Sequence, residues 1–416
     1  MLNKSSEREL AYLVIVDSIK PMDADRLECA VIGGWNCVVG KGEFHPGDLA
    51  IYFEIDSKLP EVSPFIEMEF LKSKHFKIKS QKIRGVISQG LLVSPKTFGW
   101  ETYIDGDWTS YCHIDGESHT VADESRFLTE ILGVTYSTPE DNKRKSNVDP
   151  YKAMQDRHKK LFRNPAVKKL MRYKFFRKIM LFFFGGKKKK KNGFPAWVKK
   201  TDEERVQNMP WLFPNNPETW IVTEKVDGSS CTMTMKNDKK KELIVCSRNV
   251  RFDNNPNKPC YYDTNVYLEM AEKYDMKKFM RGFLEQTDDK KIIEYFTIQG
   301  EVYGENIQKR NYGAEHRLAI FNVIFNYKDG NKIRLNPIEM RDFIRSWNDL
   351  LGTALEIVPI VEEEYKLPDS CDKMLEYANG TSAIDGGMRE GVVLRSIDGV
   401  QSFKAVNNDF IIKYHQ

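Results

Sequence analysis

Short apolar runs with near-alternation, broken by Pro, Gly and Asp, fill the first hundred positions. YLVIVDSI (12–19), LECAVIGG (27–34), WNCVVGKG (35–42) and DLAIYFEID (48–56) each have the length and the β-branched or aromatic content of a strand, with FHPGD (44–48) as a turn. Four strands so closely spaced predict a small β-barrel. The run KHFKIKSQKIRGVISQGLLVSP (74–95) sets Lys and Arg against apolar positions, as in a strand with a wet, basic outer face. Such a face suits an oligonucleotide-binding barrel, and it equally suits an edge kept from pairing by its lysines.

From 117 to 149 the chain turns acidic and then turn-rich, ending in STPEDNKRKSNVDP, which marks a boundary. NPAVKKLMRYKFFRKIMLFFF (164–184) then spaces Val167, Leu170, Met171, Phe175 and Ile179 near the helical period, with bases between them, before GGKKKKKNG (185–193) ends the pattern. Three readings fit this basic helix: a bridge between domains, a nucleic-acid contact, or a membrane-surface helix. Beyond residue 194 strands alternate with helices. EMAEKYDMKKFMRGFLEQ (269–286) and NPIEMRDFIRSWNDLLGTA (336–354) read as helices, and IIEYFTIQGEVYG (292–304), HRLAIFNVIFNY (316–327) and GVVLRS (391–396) as strands. TWIV (219–222) and CTMTM (231–235) read as two strands of a hairpin, with Lys225 where it turns over. No internal repeat is visible. The expectation is an α+β chain: a domain over 1–150, a basic helical linker over 151–193, and a mixed α/β domain over 194–416.

Composition narrows the class. A length of 416 residues allows two cores of ordinary size, and a chain that is 41% hydrophobic and 30% charged is not a disordered one. The seven cysteines are scattered with no Cys-x-x-Cys pair, which argues against a disulfide framework and a zinc knuckle and for a reducing compartment. The N-terminus has no apolar core of signal-peptide length, and the longest apolar run, IMLFFF (179–184), is too short to span a bilayer. An intracellular protein, cytoplasmic or nuclear, is therefore expected. Between Arg157 and Lys200 lie 17 Lys and Arg and no acid, so the small net charge of +4 hides a concentrated positive block that commonly meets phosphates.

Lys225 stands in TEKVDGSS with Glu224 before it and Asp227 after it. Further along, Glu301 sits between glycines in GEVYG, Glu390 opens a strand in EGVVLR, and Lys404 lies in SFKAVNN. Singly, each is an ordinary strand-end charge. In this order they resemble the motifs of the covalent nucleotidyltransferases, the superfamily of ATP-dependent polynucleotide ligases and mRNA capping enzymes. The resemblance makes Lys225 the nucleophile of K-x-D-G, Arg248 in CSRNV the contact to the nucleotide ribose, and Phe321 in AIFNV the ring that stacks on the base. It makes Glu301, Glu390 and Lys404 the later motif residues, and Glu224 a residue that orients the nucleotide. KTDEERVQN (200–208) is similar to a segment of RNA ligases whose arginine, here Arg205, lies near the phosphates. Residues 23–57 resemble the oligonucleotide-binding (OB) module that precedes the ligase domain in one branch of RNA ligases. Only twelve residues follow Lys404, so no such barrel is expected after the catalytic domain.

A lysine attacks phosphorus only as the free amine, yet its ordinary pKa is about 10.4. Acids alone would raise that value further, whereas Mg2+ or Mn2+ held by Asp227, Glu301 and Glu390, directly or through water, would lower it. Lys404, with Arg205, would neutralise charge on the phosphates. The sequence departs from the pattern at Val406, where many relatives carry a second lysine; Lys413 is a candidate to replace it. The resemblance implies an ATP-dependent RNA ligase that joins 3′-OH and 5′-phosphate ends through a lysyl-AMP intermediate. Its partner would be RNA or an RNA-containing duplex, with no membrane and no obligate protein partner. A DNA ligase, a GTP-using capping enzyme and a non-catalytic RNA-binding protein are the alternatives.

Overall fold

The computed structural model describes residues 9–99, 110–114, 117–121, 127–136, 194–200, 202–213, 215–252, 262 and 264–415. The basic helix expected over 164–184 and the linker boundaries lie outside them. By compactness, residues 1–135 and 192–416 form one unit and residues 136–191 another.

The N-terminal module contains β1 (Ala11–Ile15), β2 (Ser18–Pro21), β3 (Leu27–Ile32), β4 (Trp35–Gly40), β5 (Leu49–Phe53), β6 (Ser57–Lys58), β7 (Gln81–Ile83), β8 (Val86–Ser88), β9 (Leu91–Val93), β10 (Ser110–Ile114), β11 (Glu117–Val121) and β12 (Thr135–Tyr136). Its main sheets are β1-β5-β9 and β2-β3-β4. The run LAIYF of β5 is apolar throughout because both of its faces are covered. Ala50 and Tyr52 pack with Trp35 and Cys37 of β4, while Ile51 and Phe53 pack with Leu59, Phe65 and Leu71. The run at 74–95 is not one strand. Phe76, from a turn, and Ile78, from the extended residues after it, plug the second of these cores, and only 81–88 forms a hairpin, β7-β8, whose turn residues Arg84 and Gly85 both have positive φ.

The C-terminal domain holds two sheets facing one another across a cleft. The first has the order β13-β24-β23-β14-β22, built from β13 (Glu204–Arg205), β14 (Trp220–Glu224), β22 (Ile360–Tyr365), β23 (Gly391–Ser396) and β24 (Ser402–Val406). The second has the order β17-β16-β15-β18-β19-β20, from β15 (Ser229–Lys236), β16 (Leu243–Ser247), β17 (Arg251–Phe252), β18 (Ile293–Tyr303), β19 (Arg317–Tyr327) and β20 (Lys332–Arg334), with β21 (Glu356–Ile357) on β19. All pairings in this domain are antiparallel except β13 on β24 and β21 on β19.

Helices cover the outer faces. The 269–286 pattern, expected as one helix, is two: α2 (Val266–Lys273) and α3 (Met276–Gln286), after a short α1 (Glu69–Lys72) in the N-terminal module. Asp275, at φ 47°, breaks the run so that Met270 of the first and Met276 and Phe279 of the second reach the same core. The helix α4 (Pro337–Leu351) starts from a capping box made by Asn336 and Glu339. Phe296 of β18 is the centre of this core, with Phe283 at 4.7 Å and Phe325 at 5.3 Å between ring centroids. The other sheet buries Trp220, Leu394 and Phe403 against α5 (Cys371–Ala378).

No helix of the described residues is long and apolar enough to cross a membrane. Phe296→Ala removes a fully buried ring from the larger core, and unfolding in urea is expected to show a loss of about 3–5 kcal/mol.

Candidate active site

The segment around Lys225 is not a hairpin. The strand before it, β14, belongs to the first sheet, and β15 after it belongs to the second, so residues 225–228 carry the chain across the cleft. A local strand pattern does not reveal which sheet each strand joins. The crossing puts the lysine where both inner faces meet. Gly228 permits it: a Cβ there would come within 2.3 Å of the Val302 carbonyl oxygen and 2.8 Å of Glu301 Cγ. The Lys225 N–H donates to the Gly391 carbonyl at 3.0 Å, which joins the turn to the start of β23.

A cavity of about 300 Å³ opens here, lined among others by Lys225, Glu301, Phe321, Arg248 and Lys404. Lys225 Nζ donates to Glu390 Oε1 at 2.7 Å. Burial pushes the ammonium's pKa down, but Glu390, Glu301 and Asp227 outweigh it and hold the value above normal. Burial also dominates at Glu301, whose carboxyl is pushed up to about 8 against the pull of Lys225. The site thus carries more carboxylate than one lysine satisfies.

Glu390 Oε2 is buried and has no hydrogen-bond partner among the described residues. That orphaned oxygen, in a crowd of acids, fits a divalent cation. The described residues contain no cluster of three acidic, His or Cys side chains that would enclose a metal ion. The fit is therefore to a cation that takes part of its shell from water and phosphate, as magnesium commonly does.

Phe321 reaches the cavity through a bulge. Gln299 pairs with Asn322 and Gly300 with Ile320, so Phe321 is the extra residue, and it shares the cleft side with Asn322 while Ile320 stays in the core. Val393 of β23 also lines the cavity, so the phenyl ring and a branched side chain are both available to a flat group.

Glu224 is fully engaged by the protein: Ser382 Oγ donates to one oxygen at 2.6 Å and the Ala383 N–H to the other at 2.8 Å. It ties down the loop after α5 while lining the cavity. Arg205 pairs in parallel with Lys404 and lies with its guanidinium 5.7 Å from the Trp35 ring of the N-terminal module. Lys413 is not brought to the cavity. Asn407 caps a final turn anchored by buried Phe410, which leaves Lys413 exposed against Tyr414. Val406 is buried, so its position offers no phosphate contact.

Two features escaped the sequence reading. Asp202 accepts from Arg248 at 2.8 Å and from Lys404 at 2.9 Å, joining the two cations at the cavity rim. Burial would raise its carboxyl, but Lys404 and Arg248 overcome this and hold it below the usual range. The acids of KTDEER were visible, but nothing local said what they faced.

The second feature is the 304–316 loop. Tyr312 Oη accepts from the Asp227 N–H at 3.0 Å, and Gln308 donates to the Gly228 carbonyl at 2.9 Å. Tyr312 is held in turn by Arg310, 4.0 Å from its ring and paired with Asp385 at 2.5 Å. Tyr312→Phe keeps the ring and strands the Asp227 N–H; chemical denaturation is expected to show a cost of about 1–3 kcal/mol.

Comparison with known proteins finds matches to both the N-terminal module and the C-terminal domain. Residues 218–415 match the family model described as RNA ligase, and residues 10–95 match one described as an OB-fold domain. No curated protein matches the chain. Among solved structures, a variant of the Naegleria gruberi RNA ligase with ATP and Mn is 26% identical, with a TM-score of 0.61, over 98% of this chain and 100% of that one. A variant of the same ligase with AMP and Mn is 26% identical at a TM-score of 0.61, over 98% of this chain and 99% of that one. The same ligase with PPi is 26% identical at a TM-score of 0.59, with the same coverage.

Proposed function

We propose that this enzyme, whose residues 218–415 match the RNA ligase model and whose residues 10–95 match an OB-fold domain, seals 3′-OH/5′-phosphate breaks in RNA, in particular nicks in duplexes, using ATP. The observation that carries the proposal is the placement of Lys225 Nζ, 2.7 Å from Glu390, in a cavity that Phe321 walls and Arg248 and Lys404 rim.

The reaction runs in three displacements. In the first, the Lys225 amine attacks the α-phosphorus of ATP; an N–P bond forms, the bond to the bridging oxygen breaks, and pyrophosphate leaves. Next an oxygen of the RNA 5′-phosphate attacks the same phosphorus, Lys225 departs, and the 5′-end is adenylylated. Finally the 3′-hydroxyl attacks the 5′-phosphorus, gives up its proton and expels AMP. Lys404, within a hydrogen bond of Asp202, is placed to neutralise phosphate charge in a partly dry site. Phe321 stacks on the adenine, Arg248 holds the ribose and Arg205 supports the phosphate end.

Asp227, Glu301 and Glu390 are the residues that would hold Mg2+ or Mn2+; a related ligase solved with ATP and Mn supports the use of a divalent cation. A cation bound beside Glu390 would compete with Nζ for that carboxylate and so favour the free amine. The three carboxylates by themselves stabilise the ammonium form.

Incubation with α-labelled ATP tests this reading. The unmutated protein is expected to acquire label that survives denaturation, GTP to give none, and Lys225→Ala to give none with the fold retained. Label on Lys225→Ala equal to that of the unmutated protein would exclude the assigned nucleophile. Lys404→Ala is expected to slow labelling about a hundredfold, read from a single-turnover time course. Sealing is measured on nicked duplexes that differ only in ribose or deoxyribose at the 3′-OH; a requirement for ribose is the outcome expected of an RNA ligase.

A further inference from the structure

The cleft face of the second sheet does not end at the nucleotide cavity. Rows of directly paired residues share one face of a sheet. From Ser230 and Glu301 at the cavity the rows run through Thr232–Gln299–Asn322 and Thr234–Thr297–Ile324–Arg334 to a last row of Lys236, Tyr295, Asn326 and Lys332. Six residues along a strand put that last row roughly 20 Å from the cavity.

The middle rows are roofed by residues 197–200 and 202–203. Trp197 donates to Thr234 and stacks on Tyr295, at 4.7 Å and 16°; the Lys199 carbonyl accepts from Gln299; Glu203 pairs with Arg334. This roof carries Lys199 and Lys200 on its exposed side, and Lys200 donates to Asn249, next to Arg248 of the cavity rim. A line of cations therefore leads from the rim to the far row.

Among the described residues none of Lys199, Lys200, Lys236 and Lys332 pairs with a carboxylate, although the chain has nearly as many acids as bases. Burial lowers the pKa of Lys332, and Lys199 and Arg334 add to the effect, so positive charge accumulates here. We propose that this row and its roof form a docking surface for the sugar–phosphate backbone of the RNA strand flanking the break. The proposal rests on the ligase reading and deepens it. The contact is to phosphates rather than to bases, because Trp197 covers the one aromatic ring of the row. At roughly 3.4 Å per nucleotide the surface meets the strand about six nucleotides from the reacting end. It reads no sequence and acts on affinity rather than on chemistry.

The test uses the full chain with Lys199→Ala, Lys236→Ala and Lys332→Ala combined. These side chains are exposed, and labelling by α-labelled ATP, expected within about twofold of the unmutated protein, reports an intact nucleotide site. On a fluorescent nicked duplex with long arms, KM for sealing is expected to rise about tenfold, and the slope of log Kd against log salt to fall by about 2 to 3. On a duplex with arms shorter than about six base pairs the two proteins are expected to bind alike. Equal salt slopes and equal KM on the long duplex overturn the surface while leaving the ligase reading intact. An unmutated protein that neither labels nor seals overturns the ligase reading instead.

Discussion

The site depends on an imbalance of charge around one amine. Lys225 faces Glu390 at hydrogen-bond distance, with Glu301 and Asp227 close enough to act on it, and the three acids override the burial that would otherwise free its proton. One cation among three carboxylates in a low-dielectric cleft is a costly arrangement. The raised carboxyl of Glu301 and the orphaned oxygen of Glu390 are the places where that cost is visible. Added positive charge would relieve both.

The fold makes this imbalance possible by bringing each group from a different segment. Lys225 comes from the crossing between sheets, Glu301 from β18, Glu390 from the residue before β23, and Lys404 from β24. Backbone ties hold the crossing in place: the Gly391 carbonyl accepts from Lys225 and Tyr312 accepts from Asp227. The same polarity recurs at the rim, where Asp202 occupies Arg248 and Lys404 together. Both cations are thus held in fixed orientation by a carboxylate that is half exposed, at 55% of its side-chain surface.

Much of this was legible in the chain. The strands β18, β19 and β23 and the helix α4 lie close to the runs that predicted them, because each carries enough apolar side chains to be buried whichever neighbour it pairs with. The reading failed where local pattern and tertiary role diverge. The 269–286 helix breaks at Asp275 in order to serve one core from two directions. The basic run at 74–95 alternates like a strand, yet Phe76 enters the core from a turn and Ile78 from the extended residues after it. Lys413 was a reasonable substitute for the missing lysine at 406 by proximity along the chain, but the turn capped by Asn407 carries it away from the cavity.

From the sequence alone came the order of the candidate groups, Lys225, Glu301, Glu390 and Lys404, because each stands at a turn or strand end that the local pattern marks. It also yielded the strands and helices that bear them, because periodicity is a local property. Tertiary structure alone decided which strands share a sheet, and hence that Lys225 spans a cleft rather than tipping a hairpin. It decided too that Asp202 and Tyr312 stand beside these groups and that Lys236 and Lys332 share the face that continues from them. These are matters of pairing between residues tens to hundreds of positions apart, and pairing is set by which faces can be buried together, a constraint that no short stretch of chain contains.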